Sequence, residues 1–164
     1  MYYICISIRN NKHSNSIIIR RKQPYKTNNN MPPCCELLNK SGLSFAAAEI
    51  LQRNTYPASA AHCAYYSCFQ MMKHLALCVL AFFDSESDMN ANRYQDGDGI
   101  HEYLINKINE YLLDKKIDHH SFSKIIQLKK LRTKADYSNK RFENGEGSSA
   151  IILAREILQF LKTI

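Results

Sequence analysis

The stretch that decides the fold is PASAAHCAYYSCFQMMKHLALCVLAFF, residues 57–83. Its apolar residues recur at alternating steps of three and four, which is the spacing of one buried helix face. That stripe comprises Ala58, Ala61, Tyr65, Cys68, Met72, Leu75, Val79 and Phe82. The spacing predicts a long central helix that opens at Pro57, where proline suits the first helical position, and ends near Phe83.

Helical spacing continues on both sides of this segment. We predict a preceding helix that begins at Glu36, a polar loop over 84–99, a third helix capped by Asp98, a fourth capped by Ser121 and a fifth after ENGEGSS. The predicted inward face of the first helix comprises Leu43, Ala47, Ile50 and Leu51, and that of the third comprises Ile100, Leu104, Ile108, Tyr111 and Leu112. The predicted inward face of the fourth helix comprises Phe122, Ile125, Leu128, Leu131 and Ala135, and that of the fifth comprises Ala150, Leu153, Ile157, Leu158, Leu161 and Ile164. Since no strand pattern interrupts them, the sequence predicts an all-α fold, an antiparallel bundle of four to five helices.

Residues 1–35 differ from the rest of the chain. MYYICISI and SIIIRRK follow a strand period, and KTNNNMPP closes the segment with residues that break helices. We therefore expect a basic N-terminal extension over 1–35, disordered or loosely ordered, and a helical domain over 36–164. The natural start could be Met1 or Met31. We expect removal of residues 1–30 to leave the thermal stability nearly unchanged.

The positive charge of the chain is unevenly distributed. The net charge is +7, but six basic residues and no acidic residue lie within 1–35, so 16 basic residues face 15 acidic ones in the remainder. The helical domain is therefore nearly neutral, and only local clustering could make it bind a polyanion.

Cysteines and apolar runs point to a cytoplasmic protein without a membrane span. Three of the six cysteines lie in the long apolar helix and two are adjacent, a pattern that favours reduced thiols. The uninterrupted apolar run LALCVLAFF is much shorter than the roughly 20 residues that cross a bilayer. The DGDG of the loop lacks the ligand order of a calcium site, and His119 and His120 have no third ligand, so we predict no metal and no cofactor.

The stretch KKLRTKADYSNKR, residues 129–141, is the candidate functional surface. On one helix, Lys129, Arg132, Asp136 and Lys140 would share a face, and Asp136 could pair with Arg132 and Lys140. Within 124–141, seven cations face one acid, a local charge of +6. Such a face is either a solvated surface with weak ion pairs or a site for a polyanion.

Several short motifs in this order resemble HEPN domains. AAEILQRNTYPASAAHCAYYSCFQMMKHL is similar to the paired first helices of that family, GIHEYLINKI to its third helix and LRTKADY to its fourth. The resemblance covers about residues 36–163. It implies a four- or five-helix bundle that forms homodimers, often beside a nucleotidyltransferase partner or in toxin–antitoxin and defence systems.

Many HEPN proteins are metal-independent ribonucleases, so the resemblance raises the question of whether this sequence has their catalytic motif. That motif is an arginine followed, after four to six residues, by a histidine, and both subunits present it across the dimer groove. Here Arg132 stands near the arginine position, but Asp136 occupies the place of the histidine. A carboxylate cannot donate a proton at neutral pH and repels phosphate, so loss of nuclease chemistry is favoured. The ADY form resembles a separate HEPN subgroup.

Three hypotheses for function follow. The first is a non-catalytic module that binds nucleotide, RNA or a partner protein through a surface formed by Lys129, Lys130, Arg132, Asp136, Tyr137, Lys140 and Arg141. The second is a ribonuclease toxin that uses Arg132 with Asp136 or with a histidine from elsewhere, for which His101 at the start of the third helix is the candidate. The third is a structural partner of a nucleotidyltransferase. His62 and His74 are interpreted as packing residues or as part of a capped polar face of the long helix. Tyr65 and Tyr66 are interpreted as aromatics of the core or of a dimer interface, with base stacking as the alternative role.

Overall fold

The computed structural model describes residues 33–96 and 99–164, and the side chains of residues 36–92 and 99–164. Every regular element within these ranges is a helix, which confirms the all-α prediction. The α-helices are α1 Pro33–Arg53, α2 Pro57–His74, α3 Glu86–Asp96, α4 Ile100–Asp114, α5 His120–Ser123, α6 Ile125–Tyr137 and α7 Asn144–Leu161. No described helix is both long enough and apolar enough to cross a membrane.

Helix α2 is the centre of the bundle, because it packs against α1, α4, α6 and α7. The predicted stripe is buried along most of its length, with Ala61, Cys68 and Met72 fully inaccessible. Across from it, the predicted inward positions of the later helices form the rest of the core. Those that are fully buried or nearly so are Leu104, Ile108, Leu112, Phe122, Ile125, Leu128, Ala150, Ile157 and Leu161.

The end of α2 differs from the prediction. After His74 the chain makes a π-helical turn, Leu75–Val79, in which the Leu80 N–H donates to the Leu75 carbonyl at 2.8 Å. Ala81 then has a positive φ of 50° and stops the helix before Phe83. The wider turn rotates the apolar stripe outward, so Val79 is exposed. Together the 18 residues of α2 and the five of the turn exceed the 21 of α1, so the central helical segment is the longest described.

The buried face of α1 is also different from the predicted one. Leu43 and Ile50 are exposed, whereas Ser41 and Ala48 are buried against α2. The Ser41 hydroxyl donates to the Ser67 carbonyl at 2.8 Å, which satisfies a polar group in the interface. Small residues bring the two helices into close contact, whereas Leu43 and Ile50 lie on the outer side of α1.

The prediction of a loop over 84–99 is wrong for most of its length, because Glu86–Asp96 forms α3. The Ser85 hydroxyl accepts the Asp88 N–H at 3.1 Å, which caps the first turn, and Met89 is buried as the apolar anchor. The polar composition of the segment conceals this helix, because Met89 is the one buried residue among the described side chains 86–92 and a single apolar residue gives no period.

The predicted N-caps of the third and fourth helices are Asp98 and Ser121. Asp98 lies outside the described residues, and Gly99 occupies the N-cap position of α4. Ser121 lies inside the short helix α5 and is not a cap, because the Asp118 carboxylate accepts the His120 N–H at the start of that turn. Helix α7 begins within ENGEGSS, with a capping box between Glu143 and Glu146.

The cysteines follow the prediction only in part. Cys63 and Cys68 are free thiols, as expected of packing residues on α2. Cys78, in the π-helical turn, is disulfide-bonded, so the prediction of reduced thiols is wrong there. A disulfide requires two thiols brought together by the fold, which spacing along the sequence does not reveal.

Candidate functional site

The contact between α2 and α6 carries a polar and aromatic network that we call the Arg132 cluster. It consists of His62, Tyr65, Tyr66, His101, Arg132, Asp136 and Tyr137. Arg132 and Asp136 lie one turn apart on α6, so both face α2. His62, Tyr65 and Tyr66 lie within about one turn of α2, Tyr137 is the last residue of α6, and His101 lies in the first turn of α4.

Arg132 lies at the middle of the cluster. Its side chain is 14% exposed, and its Nη2 donates to the Tyr66 hydroxyl at 3.0 Å and to the Tyr137 hydroxyl at 3.5 Å. The guanidinium carbon is 5.2–5.9 Å from the ring centroids of Tyr65, Tyr66 and Tyr137, within the range of cation–π attraction. Burial alone would lower the pKa of Arg132, but Tyr66 and Asp136 raise it, so the guanidinium is charged.

The predicted pair of Arg132 and Asp136 is present, with Nε 2.7 Å from Oδ2. The buried Nε nevertheless lacks a well-aligned hydrogen bond. The contact is therefore mainly a charge interaction, and the Tyr66 hydroxyl and the aromatic rings orient the guanidinium. The predicted pairing of Asp136 with Lys140 is wrong, because α6 ends at Tyr137 and Lys140 lies beyond the helix.

His62 is the residue of this site that the sequence did not reveal. Its Nδ1 is 3.0 and 3.1 Å from the two oxygens of Asp136, and its ring stacks on Tyr66 with centroids 4.6 Å apart. A carboxylate only accepts, so His62 Nδ1 carries a proton that it donates to Asp136. The ring is 45% exposed and borders a cleft of about 210 Å³ with Ser59, Cys63 and Asp136.

His101 lies near Arg132, as the hypothesis of a site residue on the third predicted helix requires, but its hydrogen bond is to Tyr65 and not to Arg132. The Tyr65 hydroxyl is 3.1 Å from His101 Nδ1, and the imidazole packs on Phe69 at 4.2 Å. Burial lowers the pKa of His101, and the charges of Arg132 and Lys129 lower it further. Burial also raises the pKa of Tyr65, so the phenol donates to a neutral imidazole whose proton is on Nε2.

Most of the cations of the candidate surface have acidic partners from other parts of the chain. Lys129 pairs with Glu102 of α4 at 2.7 Å, and Arg141 lies 3.4 Å from Glu143. The remaining pairs are Lys124 with Glu156 and Lys134 with Glu146. Among the described residues, Lys130 and Lys140 make no ion pair. The local charge of +6 is therefore largely neutralised in the fold.

An open depression lies at the C-terminal end of α6. It has a volume of about 560 Å³ and is lined by Thr133, Lys134, Tyr137, Ser138 and Lys140. The Tyr137 side chain is 73% exposed here, which makes it the most exposed large apolar ring of the described residues. An aromatic ring, two hydroxyls and an unpaired ammonium group thus meet at one surface.

No protein family model matches the chain, and no curated protein matches it. Among the described side chains, no group of three or more potential ligands could hold a metal ion. His119 is the N-cap residue of α5 and His120 its first residue, next to Asp118. The site must therefore be interpreted from its own chemistry.

Proposed function

We propose that this chain is a HEPN-like module that binds single-stranded RNA or a free nucleotide at the C-terminal end of α6, without a catalytic step. The observation that supports it is the depression in which Tyr137 is exposed beside Lys140. A flat exposed ring next to an unpaired cation fits a ligand that has a base and a phosphate.

Each lining residue has a definite part in this proposal. The base stacks on Tyr137, an interaction worth about 1–3 kcal/mol per base by alanine substitution. Lys140 and Lys130 supply the unpaired positive charge for phosphate groups, and the hydroxyls of Thr133 and Ser138 line the same depression. The Arg132 guanidinium contacts the ring and the hydroxyl of Tyr137 and holds that side chain in place.

Fluorescence anisotropy with a labelled uridine oligonucleotide tests the proposal. Tyr137→Ala should weaken binding by about tenfold or more, since one stacked base is lost, whereas Tyr137→Phe should bind as the parent does. Lys140→Ala should weaken binding, and Lys162→Ala, at the far end of α7, is the matched charge control. Equal affinities for Tyr137→Ala and the parent, or no binding by the parent, would contradict the proposal.

The resemblance to HEPN domains also supports a homodimer and a nucleotidyltransferase partner in a toxin–antitoxin or defence system. Helix α1 offers an exposed apolar side with Leu43 and Ile50, which is where a second chain could pack. Light scattering on the purified chain measures the first part of this proposal, since a monomer at micromolar concentration contradicts the homodimer.

A metal-independent ribonuclease remains the second candidate, because His62 supplies an imidazole next to Arg132 that the α6 sequence lacks. Its Nδ1 is held by Asp136, as in the acid–base pairs of hydrolytic enzymes, and its ring reaches solvent. Incubation of RNA with the protein in excess chelator distinguishes the two candidates. Cleavage that His62→Gln abolishes would support the ribonuclease, and intact RNA would support the binding module.

A further inference from the structure

The disulfide of Cys78 has a partner whose side chain is not among those described. The chain has six cysteines, of which Cys63 and Cys68 are free thiols. Cys78 lies in the π-helical turn at the end of α2 and is disulfide-bonded. Because the structure contains one chain, its partner is another cysteine of the same sequence. The cysteines that remain are Cys5, Cys34 and Cys35.

Two hydrogen bonds fix the register of α1 against α2. The helices are joined by the short turn 54–56 and pack along each other, so they run antiparallel. The Ser41 hydroxyl donates to the Ser67 carbonyl, and the Ser44 hydroxyl donates to Gln70 Oε1. In an antiparallel pair, each step toward the start of α1 is a step toward the end of α2. The two bonds therefore indicate which residues of the helices lie level with each other.

This register brings the first turn of α1 level with the π-helical turn. Extended from the first of the two bonds, it places position 34 level with His74, and extended from the second, level with Leu80. The same extension places position 35 level with the interval 73–79. Cys78 lies within both intervals. The register therefore favours Cys34 or Cys35 as its partner, and helices that pack through small residues bring facing side chains within the distance that a disulfide spans.

Both ends of such a link are accessible to a small thiol. Residues 36–40 of α1 include no buried side chain, and the first buried residue of that helix among those described is Ser41. Cys78 is half-buried, and its neighbour Val79 is 47% exposed. An accessible disulfide exchanges with thiolates more easily than a buried one. The bond thus joins a weakly packed helix end to a partly exposed turn.

We propose that Cys78 and the adjacent pair Cys34 and Cys35 form a thiol–disulfide exchange site, which fastens the first turn of α1 to the π-helical turn. The thiolate of a small thiol, such as glutathione, attacks one sulfur, and the other sulfur leaves as a thiolate that takes a proton from solvent. A second molecule of the small thiol then attacks the mixed disulfide, so the protein gains two thiols and the reagent becomes its own disulfide. The unbonded thiol of the adjacent pair can attack in the same way, which exchanges Cys34 for Cys35 without net oxidation. This inference does not depend on the proposed function.

Reduction should open the start of α1. Without the disulfide, residues 33–40 are held to the bundle by partly exposed side chains alone. The ion pair of Lys40 with Glu36, 3.6 Å apart, lies within the same helix and is exposed, so it adds little. A helix end without buried contacts unfolds locally, and a protease cleaves such a segment when it opens. Lys40 is therefore the trypsin site that reports the state of the link.

Limited trypsin digestion of the full chain, with and without dithiothreitol, tests this consequence. Mass spectrometry of the quenched digests should show cleavage after Lys40 about tenfold or more faster in the reduced protein. Cleavage after Arg141, which is 87% exposed between α6 and α7, should be the same in both and is the internal control. Cys78→Ser should be cleaved after Lys40 at the fast rate under both conditions. A rate at Lys40 that dithiothreitol does not change would overturn the proposal.

Peptide mapping assigns the partner. The protein is treated with oxidised glutathione, then denatured and alkylated without reductant, and the bonded peptides are identified. Cys34→Ser and Cys35→Ser should each keep a bond to Cys78 through the other cysteine, the double variant should lose it, and Cys5→Ser should keep it as the matched control. A map that joins Cys78 to Cys5, alkylation of all of the cysteines, or loss of the bond in only one of the two single variants would overturn the exchange site.

Discussion

Arg132 and His101 show how neighbouring side chains decide the charge of a residue. Arg132 is surrounded by three aromatic rings and one carboxylate and remains charged, whereas His101, next to it, lies where burial and two cations disfavour a proton. The same cluster thus contains one fixed cation, one neutral imidazole and, in His62, one exposed imidazole with an acidic partner.

The lowered pKa of His101 predicts a pH dependence of stability. As the pH falls below about 6.5, the unfolded chain gains a proton at this histidine more readily than the folded chain, so the free energy of unfolding decreases. Above that range the imidazole is neutral in both states and contributes nothing. His101→Gln removes this titration, and its stability should decline less than that of the parent between pH 7.5 and 5.5.

Urea denaturation of the two proteins over this pH range measures the difference, because all other titrating groups are common to both. Parallel curves of the free energy of unfolding against pH would show that His101 binds its proton equally well in the folded and the unfolded chain.

The contact between α7 and α2 depends on one glycine. A Cβ at Gly147 would lie 2.2 Å from Gln52 Oε1 and 2.7 and 2.9 Å from Cβ and Cα of Pro57. Gln52 is itself held by bonds to Asn144 and Ser148, and the backbone of Pro57 begins α2, so neither side can easily move. Gly147→Ala should therefore separate the two helix ends.

We expect Gly147→Ala to lower the free energy of unfolding by about 1–3 kcal/mol, the usual cost of overpacking. Gly145→Ala, two residues earlier on α7, is the control, since nothing lies within 4 Å of its added Cβ. That variant should be neutral or slightly more stable, because alanine favours a helix by up to about 1 kcal/mol over glycine. If thermal denaturation shows that both variants lose the same amount of stability, the argument that Gly147 is needed for close packing is contradicted.

At the scale of helices, sequence periodicity was sufficient to locate a helix where many apolar residues repeat at helical spacing, and it was insufficient where few do. It located α2, α4, α6 and α7, because each buries a long stripe. It missed α3, where Met89 is the one buried residue among the described side chains 86–92, and it placed Leu43 and Ile50 on the buried face of α1, where Ser41 and Ala48 are buried and those two are exposed. Close approach of two helices favours small side chains, and hydrophobicity alone does not record that.

The same limit applies to the candidate site. The pair of Arg132 and Asp136 was predictable from their spacing on one helix, and it is present. The contact of Asp136 with His62 joins residues 74 positions apart, and Lys124, Lys129 and Lys134 are paired with acids from α4 and α7. Both depend on how the helices pack, so the sequence indicated a stronger positive surface than the fold provides.

For the molecule as a whole, this neutralisation predicts a weak dependence of RNA binding on salt. Lys130 and Lys140 are the described cations of the α6 surface without ion pairs, and each phosphate neutralised on a single strand contributes a slope of about −0.7. A plot of the logarithm of the association constant against the logarithm of the salt concentration should therefore have a slope no steeper than about −1.4 for the parent. Lys140→Ala should reduce its magnitude by about 0.7.

Anisotropy titrations at several salt concentrations give this slope directly, with Lys162→Ala as the unchanged control. A slope several times steeper would mean that the paired lysines exchange their carboxylates for phosphates, so that the whole of 124–141 acts as one cationic surface.

The bond from Arg132 to Tyr66 connects positions 66 residues apart in the chain. Because the entropy lost on closing a loop grows with its length, such a contact forms only when the intervening helices have been brought into place. A ligand that holds α6 against α2 at this point acts as a reversible cross-link across that loop. It would slow the local opening through which proteases reach the chain between the two helices, and so lengthen the lifetime of the occupied protein.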